Sequence, residues 1–257
     1  MKQCLTVCVL MLCLAACSSA PSSQPDNLAS DKREKAAEAR LAAASGYLDA
    51  GQMERAKFHL DKALQHAPDN ANVQATLGYY YSLVSENKRA EEHFQKALRL
   101  DGDSPGVLDL YGVYLCRQGK YSKAQELFER AIAIPSNPKM ASVMENAGLC
   151  ALRSNAPEKA DEYFRRALQH NPKQANALLE MANRELEQQR LERAKGYWDR
   201  FKEVGRDTPR SLWVGIQLAH ALRDKDTVAS LGLKLEQIFP DSEEADLYAD
   251  KKQQWRN

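Results

Sequence analysis

Five stretches of this chain are versions of one another: "ERAKFHLDKAL" (54–64), "KRAEEHFQKAL" (88–98), "SKAQELFERAI" (122–132), "EKADEYFRRAL" (158–168) and the looser "ERAKGYWDRF" (192–201). Their first alanines are Ala56, Ala90, Ala124, Ala160 and Ala194, spaced 34, 34, 36 and 34 residues apart. Four residues beyond each alanine stands a bulky side chain: Leu60, Phe94, Phe128, Phe164 and Trp198. A fixed period of this size constrains a fold more than any composition does. One unit alone cannot bury its apolar face, so the units must stack on their neighbours into an elongated array.

Within each unit the spacing is helical. Twelve residues before each marker alanine is a small residue: Ala44, Gly78, Gly112, Gly148 and Ala182. Pro68, Pro172 and Pro240 close units where a helix must stop, since proline breaks the hydrogen-bond ladder. This is the tetratricopeptide pattern, a 34-residue helix–turn–helix. The fold expected is all-α, a right-handed superhelical solenoid of six helix pairs. The repeats fall near 37–70, 71–104, 105–138, 141–174, 175–208 and 209–242, within a domain spanning 36–250. "IPSNPK" (134–139) carries a two-residue insertion, and the sixth unit is degenerate, as a capping repeat commonly is. The small residue and the marker alanine should mark where the two helices cross, with the aromatic filling the space before the next pair.

The first helix of each pair should line the concave face. Its inward positions supply Leu48 from repeat 1, Tyr79 and Ser82 from repeat 2, Asp109 and Val113 from repeat 3, Glu145 and Leu149 from repeat 4, and Asn183 from repeat 5. These eight form the candidate partner-binding groove, centred on the first four repeats around Leu48, Tyr79, Val113 and Leu149. Apolar patches alternating with an acid or amide suit an extended peptide or partner strand. The face lacks the repeated Lys/Arg that would clamp a terminal carboxylate; the other reading is a solvated groove without a tight ligand.

The N-terminus is of another kind. "CLTVCVLMLCLAAC" (4–17) follows Lys2 and is too short to span a bilayer, so residues 1–16 read as a signal peptide. Its end, "LAAC", resembles a bacterial lipobox with Cys17 as the lipidated residue; a plain signal with an incidental cysteine is the other reading. Ser18 rather than aspartate fits delivery to the outer membrane in the sorting pattern this resembles. Residues 17–35, beginning "CSSAPSSQPDN", read as a lipidated N-terminus and flexible tether. Lys+Arg is 36 and Asp+Glu 35, so bulk charge points to no nucleic acid.

No catalytic motif stands out. His59 and His93 share one repeat position, and His66 and His170 another, which is repeat architecture rather than a metal set. No metal site and no cofactor beyond the lipid on Cys17 are expected. With Cys4, Cys8 and Cys13 in the signal, Cys116 and Cys150 remain as a pair in an oxidising compartment. They sit on first helices of adjacent repeats, close enough for a disulfide stapling repeats 3 and 4; two buried free thiols are the alternative. Tyr197, Trp198, Phe201 and Trp213 read as core of the cap or as a second partner surface.

"YGVYLCRQGKYSKAQELFERAI" (111–132), "ENAGLCAL" (145–152), "SLWVGIQLAHAL" (211–222) and "FPDSEEA" (239–245) stand out, and within them "YLCRQGKY", "ENAGLC" and "SLWVGI" are not dictated by the repeat. Together they resemble the type IV pilus biogenesis lipoproteins called pilotins, the PilF/PilW family. The resemblance implies a non-enzymatic, lipid-anchored protein on the periplasmic side of a Gram-negative outer membrane. Its implied partner is the secretin subunit of the pilus, which it helps to reach that membrane and multimerise. It also implies that Cys116 and Cys150 are the family's cysteine pair, and the chain is taken as a monomer. In repeat 2, "SLVSENKRA" lacks the glycine usual at the inter-helix turn, and Asn87 is expected to take the left-handed conformation in its place. The alternative is a general envelope adaptor of outer-membrane assembly factors or murein hydrolases.

Overall fold

The computed structural model describes residues 24–255. Thirteen α-helices and no strand occur among them. They pair in sequence: α1 (Gln24–Asp49) with α2 (Met53–His66), α3 (Ala71–Leu83) with α4 (Asn87–Leu100), and α5 (Pro105–Arg117) with α6 (Tyr121–Ile132). The series continues with α7 (Met140–Arg153) and α8 (Pro157–His170), α9 (Ala175–Glu187) and α10 (Leu191–Val204), α11 (Pro209–Ala221) and α12 (Lys225–Ile238), and ends in an unpaired α13 (Glu243–Trp255).

Every hairpin turns through one left-handed residue. These are Gly51, Ser85, Gly119, Asn155, Gln189 and Arg223, with φ between 58° and 73°. They repeat the spacing of the marker alanines, including the longer step at the insertion. In repeat 2 the residue is therefore Ser85, with φ 63°, and not Asn87, which opens α4. The turn needs positive φ two residues before the second helix starts, and position outweighs asparagine's tolerance of that region.

The marker alanines Ala56, Ala90, Ala124, Ala160 and Ala194 are all fully buried, as a close helix crossing demands. The small residue of the first helix does not serve that contact alone. A Cβ built on Gly78, Gly112 or Gly148 would come within 3.0, 2.7 and 2.5 Å of the rings of Phe94, Phe128 and Phe164 respectively. Each ring thus lies against the glycine of its own pair. Phe94 also stacks on Tyr111 of the next repeat, centroids 4.9 Å apart, so the aromatic bonds both within and between units.

A second periodic device lies on the second helices. Six residues past the marker, Lys96, Arg130 and Arg200 donate to the carbonyls of Pro68, Gly102 and Pro172 at 3.1, 2.8 and 3.0 Å. Each straps the turn that closes the preceding repeat. Arg166, the equivalent in repeat 4, pairs instead with Glu162 at 3.9 Å. The turn behind it is the enlarged one between α6 and α7.

Both ends differ from the sequence expectation. The tether expected over 17–35 is helical from Gln24 onward. "SDKREKAAEAR" is rich in strong helix formers, and Asp31 and Lys35 pair at 2.8 Å one turn apart. Glu34 accepts a hydrogen bond from Asn70, which ties this turn to repeat 2. At the other end, α13 extends the stack beyond the sixth pair. Its Ala245 and Tyr248 are buried with Leu212, Ile216 and Leu235, and Tyr248 packs over Gly232. The signal segment and Cys17 lie outside the described residues.

Candidate partner-binding groove

The first helices form the concave wall. Between α1, α3, α5 and the α6–α7 turn lies a groove of about 540 Å³. Leu48, Tyr79 and Asp109 meet in it, so three of the eight expected residues share one cavity. Burial lifts the Tyr79 phenol above its usual range, with Asp49 and Asp109 adding to the rise and Arg117 opposing it. Val113 and Leu149 are half-buried further along the row. Asn183 lines a separate cavity of about 480 Å³ beside Trp213, near the C-terminal end.

Three expected groove residues have other duties. Ser82 is buried and its hydroxyl donates to the Tyr79 carbonyl at 2.6 Å. Glu145 is 8 % exposed and caps α9: its carboxylate accepts from the Asn176 side chain at 2.9 Å and the Ala177 backbone N–H at 3.1 Å. Asp109 faces the groove floor but accepts from Asn146 of α7 at 2.9 Å. One repeat on, Glu180 receives Arg210 of α11 through two bonds of 3.0 and 2.7 Å. These carboxylates are struts between successive first helices. Their acidity reads in sequence as groove polarity because one helix position can border the groove and still reach the next first helix, as Asp109 does.

Burial raises Asp109 to about 6; Asn146 and Lys139 oppose the shift and Glu145 adds to it. A carboxyl whose folded value lies above its unfolded one stabilises the fold fully below about pH 4. That contribution is lost as pH rises through about 6. Asp109→Asn keeps an acceptor for Asn146 and removes the charge. It should raise stability at pH 7.5 by about 1–3 kcal/mol and change it little at pH 4, read from denaturant midpoints at the two pH values.

Cys116 of α5 and Cys150 of α7 are joined in a disulfide with Cα atoms 5.8 Å apart. The bond ties repeats 3 and 4 near the C-terminal ends of α5 and α7, at the far end of α7 from the insertion. His59 and His93 are structural: they stack on Tyr47 and Tyr81 at 5.3 and 5.2 Å. Trp198 and Phe201 are buried and stacked at 5.3 Å, so that half of the aromatic cluster is core.

Sequence reasoning missed the insertion's part in the groove. Pro138 and Lys139 line its wall, and buried Asn137 fixes them by donating to the Ala131 carbonyl at 3.1 Å and accepting from the Lys139 backbone N–H at 2.9 Å. The signal available was the insertion itself, since extra residues between regular repeats emerge at one face of the stack.

Paired helices of fixed period around a concave, mixed apolar and polar groove define a tetratricopeptide-repeat protein, and residues 103–173 match the family described as Tetratricopeptide repeat. The chain is 35 % identical over 235 residues to the type IV pilus assembly protein PilF of Pseudomonas aeruginosa, covering 91 % of this chain and 93 % of that protein. The solved structure from the functional characterisation of Pseudomonas aeruginosa PilF superposes with a TM-score of 0.72 at 35 % identity, covering 86 % of this chain and 99 % of that one. PilW, a widely conserved type IV pilus biogenesis factor, shares the fold: TM-score 0.66, 24 % identity, 82 % of this chain and 97 % of its own. The chain belongs to the PilF family of type IV pilus biogenesis proteins.

Proposed function

We propose that this chain is a pilotin: an outer-membrane lipoprotein, acylated at Cys17, that binds secretin subunits through its concave groove and promotes their outer-membrane localisation and multimerisation. The identity to PilF along nearly the whole length carries the reading, since it assigns the chain to type IV pilus biogenesis. The groove supplies the binding surface. Leu48 and Tyr79 offer apolar contact beside Asp109 and Lys139, which favours an extended segment with both apolar and polar side chains. The "LAAC" lipobox supplies the anchor, and several acyl chains give the stable attachment that one chain does not.

The test is deletion of the gene with secretin oligomers assayed in unheated outer-membrane fractions. Oligomers should be lost while monomer persists. Wild type should restore them and Cys17→Ala should not. Intact oligomers in the deletion strain would refute the proposal.

A further inference from the structure

The inward positions of α11 continue the concave row of the earlier first helices, and they include Trp213 and His220. Trp213 is half-buried and His220 exposed, and both meet this chain's own C-terminus. The indole of Trp255 stacks on the His220 ring, centroids 4.0 Å apart and planes 14° from parallel. It lies within 11° of parallel to Trp213 at 6.2 Å. Cavities of about 480 and 500 Å³ flank it, and both have His220 and Trp255 in their walls. Trp255 is therefore a partition across one trough at the C-terminal end of the groove.

The two halves of α13 are held very differently. Its first turns are anchored by Ala245 and Tyr248, 6 % and 3 % exposed. Its last turn is held by the Trp255 stack and by Lys252, which reaches both carboxylate oxygens of half-buried Glu236 at 3.0 and 3.1 Å and lies 5.3 Å from the Tyr248 ring centroid.

We propose that the last turn of α13 is a displaceable strap. Trp255 fills an aromatic seat formed by Trp213 and His220 in the free protein. A partner segment running along the groove past α9 displaces it and places an aromatic side chain of its own in that seat. The occupant's chemistry is given by the side chain that the seat already holds: a flat ring sandwiched parallel to two others. The direction of approach rests on the groove reading above. The seat itself does not, so the test uses this chain's own segment and its failure leaves secretin binding untouched.

A strap that is closed in the free chain competes at an effective concentration in the millimolar range. The isolated segment must then bind the vacated seat with a Kd of about 1 mM or below. The probe is a synthetic peptide of residues 249–257, "ADKKQQWRN", titrated into full-length Trp255→Ala while the Trp213 indole N–H resonance is followed by NMR. The expected result is a saturable shift at or below about 1 mM, at least about twofold weaker in wild type, and absent with a peptide carrying alanine for tryptophan. Trp255→Phe keeps a ring in the seat and should exclude the peptide as wild type does. No saturable shift in Trp255→Ala up to several times that concentration, equal shifts in Trp255→Ala and wild type, or equal binding of the alanine peptide would each overturn the proposal.

Discussion

Phe164→Ala should cost about 3–5 kcal/mol, the largest loss expected from one side chain in this fold. The ring is fully buried, lies against Gly148 of its own pair and belongs to the core running from repeat 4 into repeat 6. Truncation removes transfer energy and leaves a cavity that helices fixed on both sides cannot collapse. The glycine gives the matching test. Gly148→Ala places a methyl 2.5 Å from Phe164 Cε1, and overpacking of a rigid ring costs about 1–3 kcal/mol. Combining Gly148→Ala with Phe164→Leu should cost less than the sum of the two changes, because the smaller side chain makes room for the methyl. Guanidinium midpoints of the four proteins decide it; strict additivity would mean that the ring and the glycine do not share a contact that matters.

Removing the disulfide should come next in size. Cys116 and Cys150 are 34 residues apart, and closing a loop of that length removes about 3–4 kcal/mol of unfolded-chain entropy. Both are buried, at 5 % and 3 % exposure, so Cys116→Ala with Cys150→Ala adds only a small packing loss. The double variant should unfold at lower denaturant than the oxidised protein and should no longer respond to reductant. A linked peptide spanning the two cysteines should appear in non-reducing mass spectra of wild type. A double variant as stable as wild type would show that repeats 3 and 4 hold each other without the bond.

The fold was largely legible because a repeat writes each contact several times. The alanine, the bulky residue four beyond it and the small residue twelve before it recur in five units, and each of those positions is buried in the structure or set against its expected partner helix. What recurs less was read less well. Ser85, Asn155, Gln189 and Arg223 hold positive φ at the hairpin turns without a glycine to announce it, because the stacked helices impose the turn on whatever residue stands there. The helix α13 has no counterpart in the repeat, and its docking depends on a long-range contact between Tyr248 and Gly232. Register alone placed Leu48, Tyr79 and Asp109 where they line one cavity. Glu145 also caps α9, through contacts with the following repeat 31 and 32 residues away that the pattern within one repeat does not carry.

The claim that the concave face binds the secretin is tested most directly by affinity. Purified secretin periplasmic region would be titrated calorimetrically against wild type, against a chain with Tyr79→Asp and Leu149→Asp, and against Phe58→Asp. Phe58 lies on the second helix of repeat 1 and is 56 % exposed, which makes it a control for added charge. The groove variant should bind at least about tenfold more weakly while its circular dichroism spectrum stays that of wild type, a loss of about 1.4 kcal/mol or more. Phe58→Asp should bind as wild type does. Unchanged affinity of a folded groove variant would contradict the account and move the partner site to another surface.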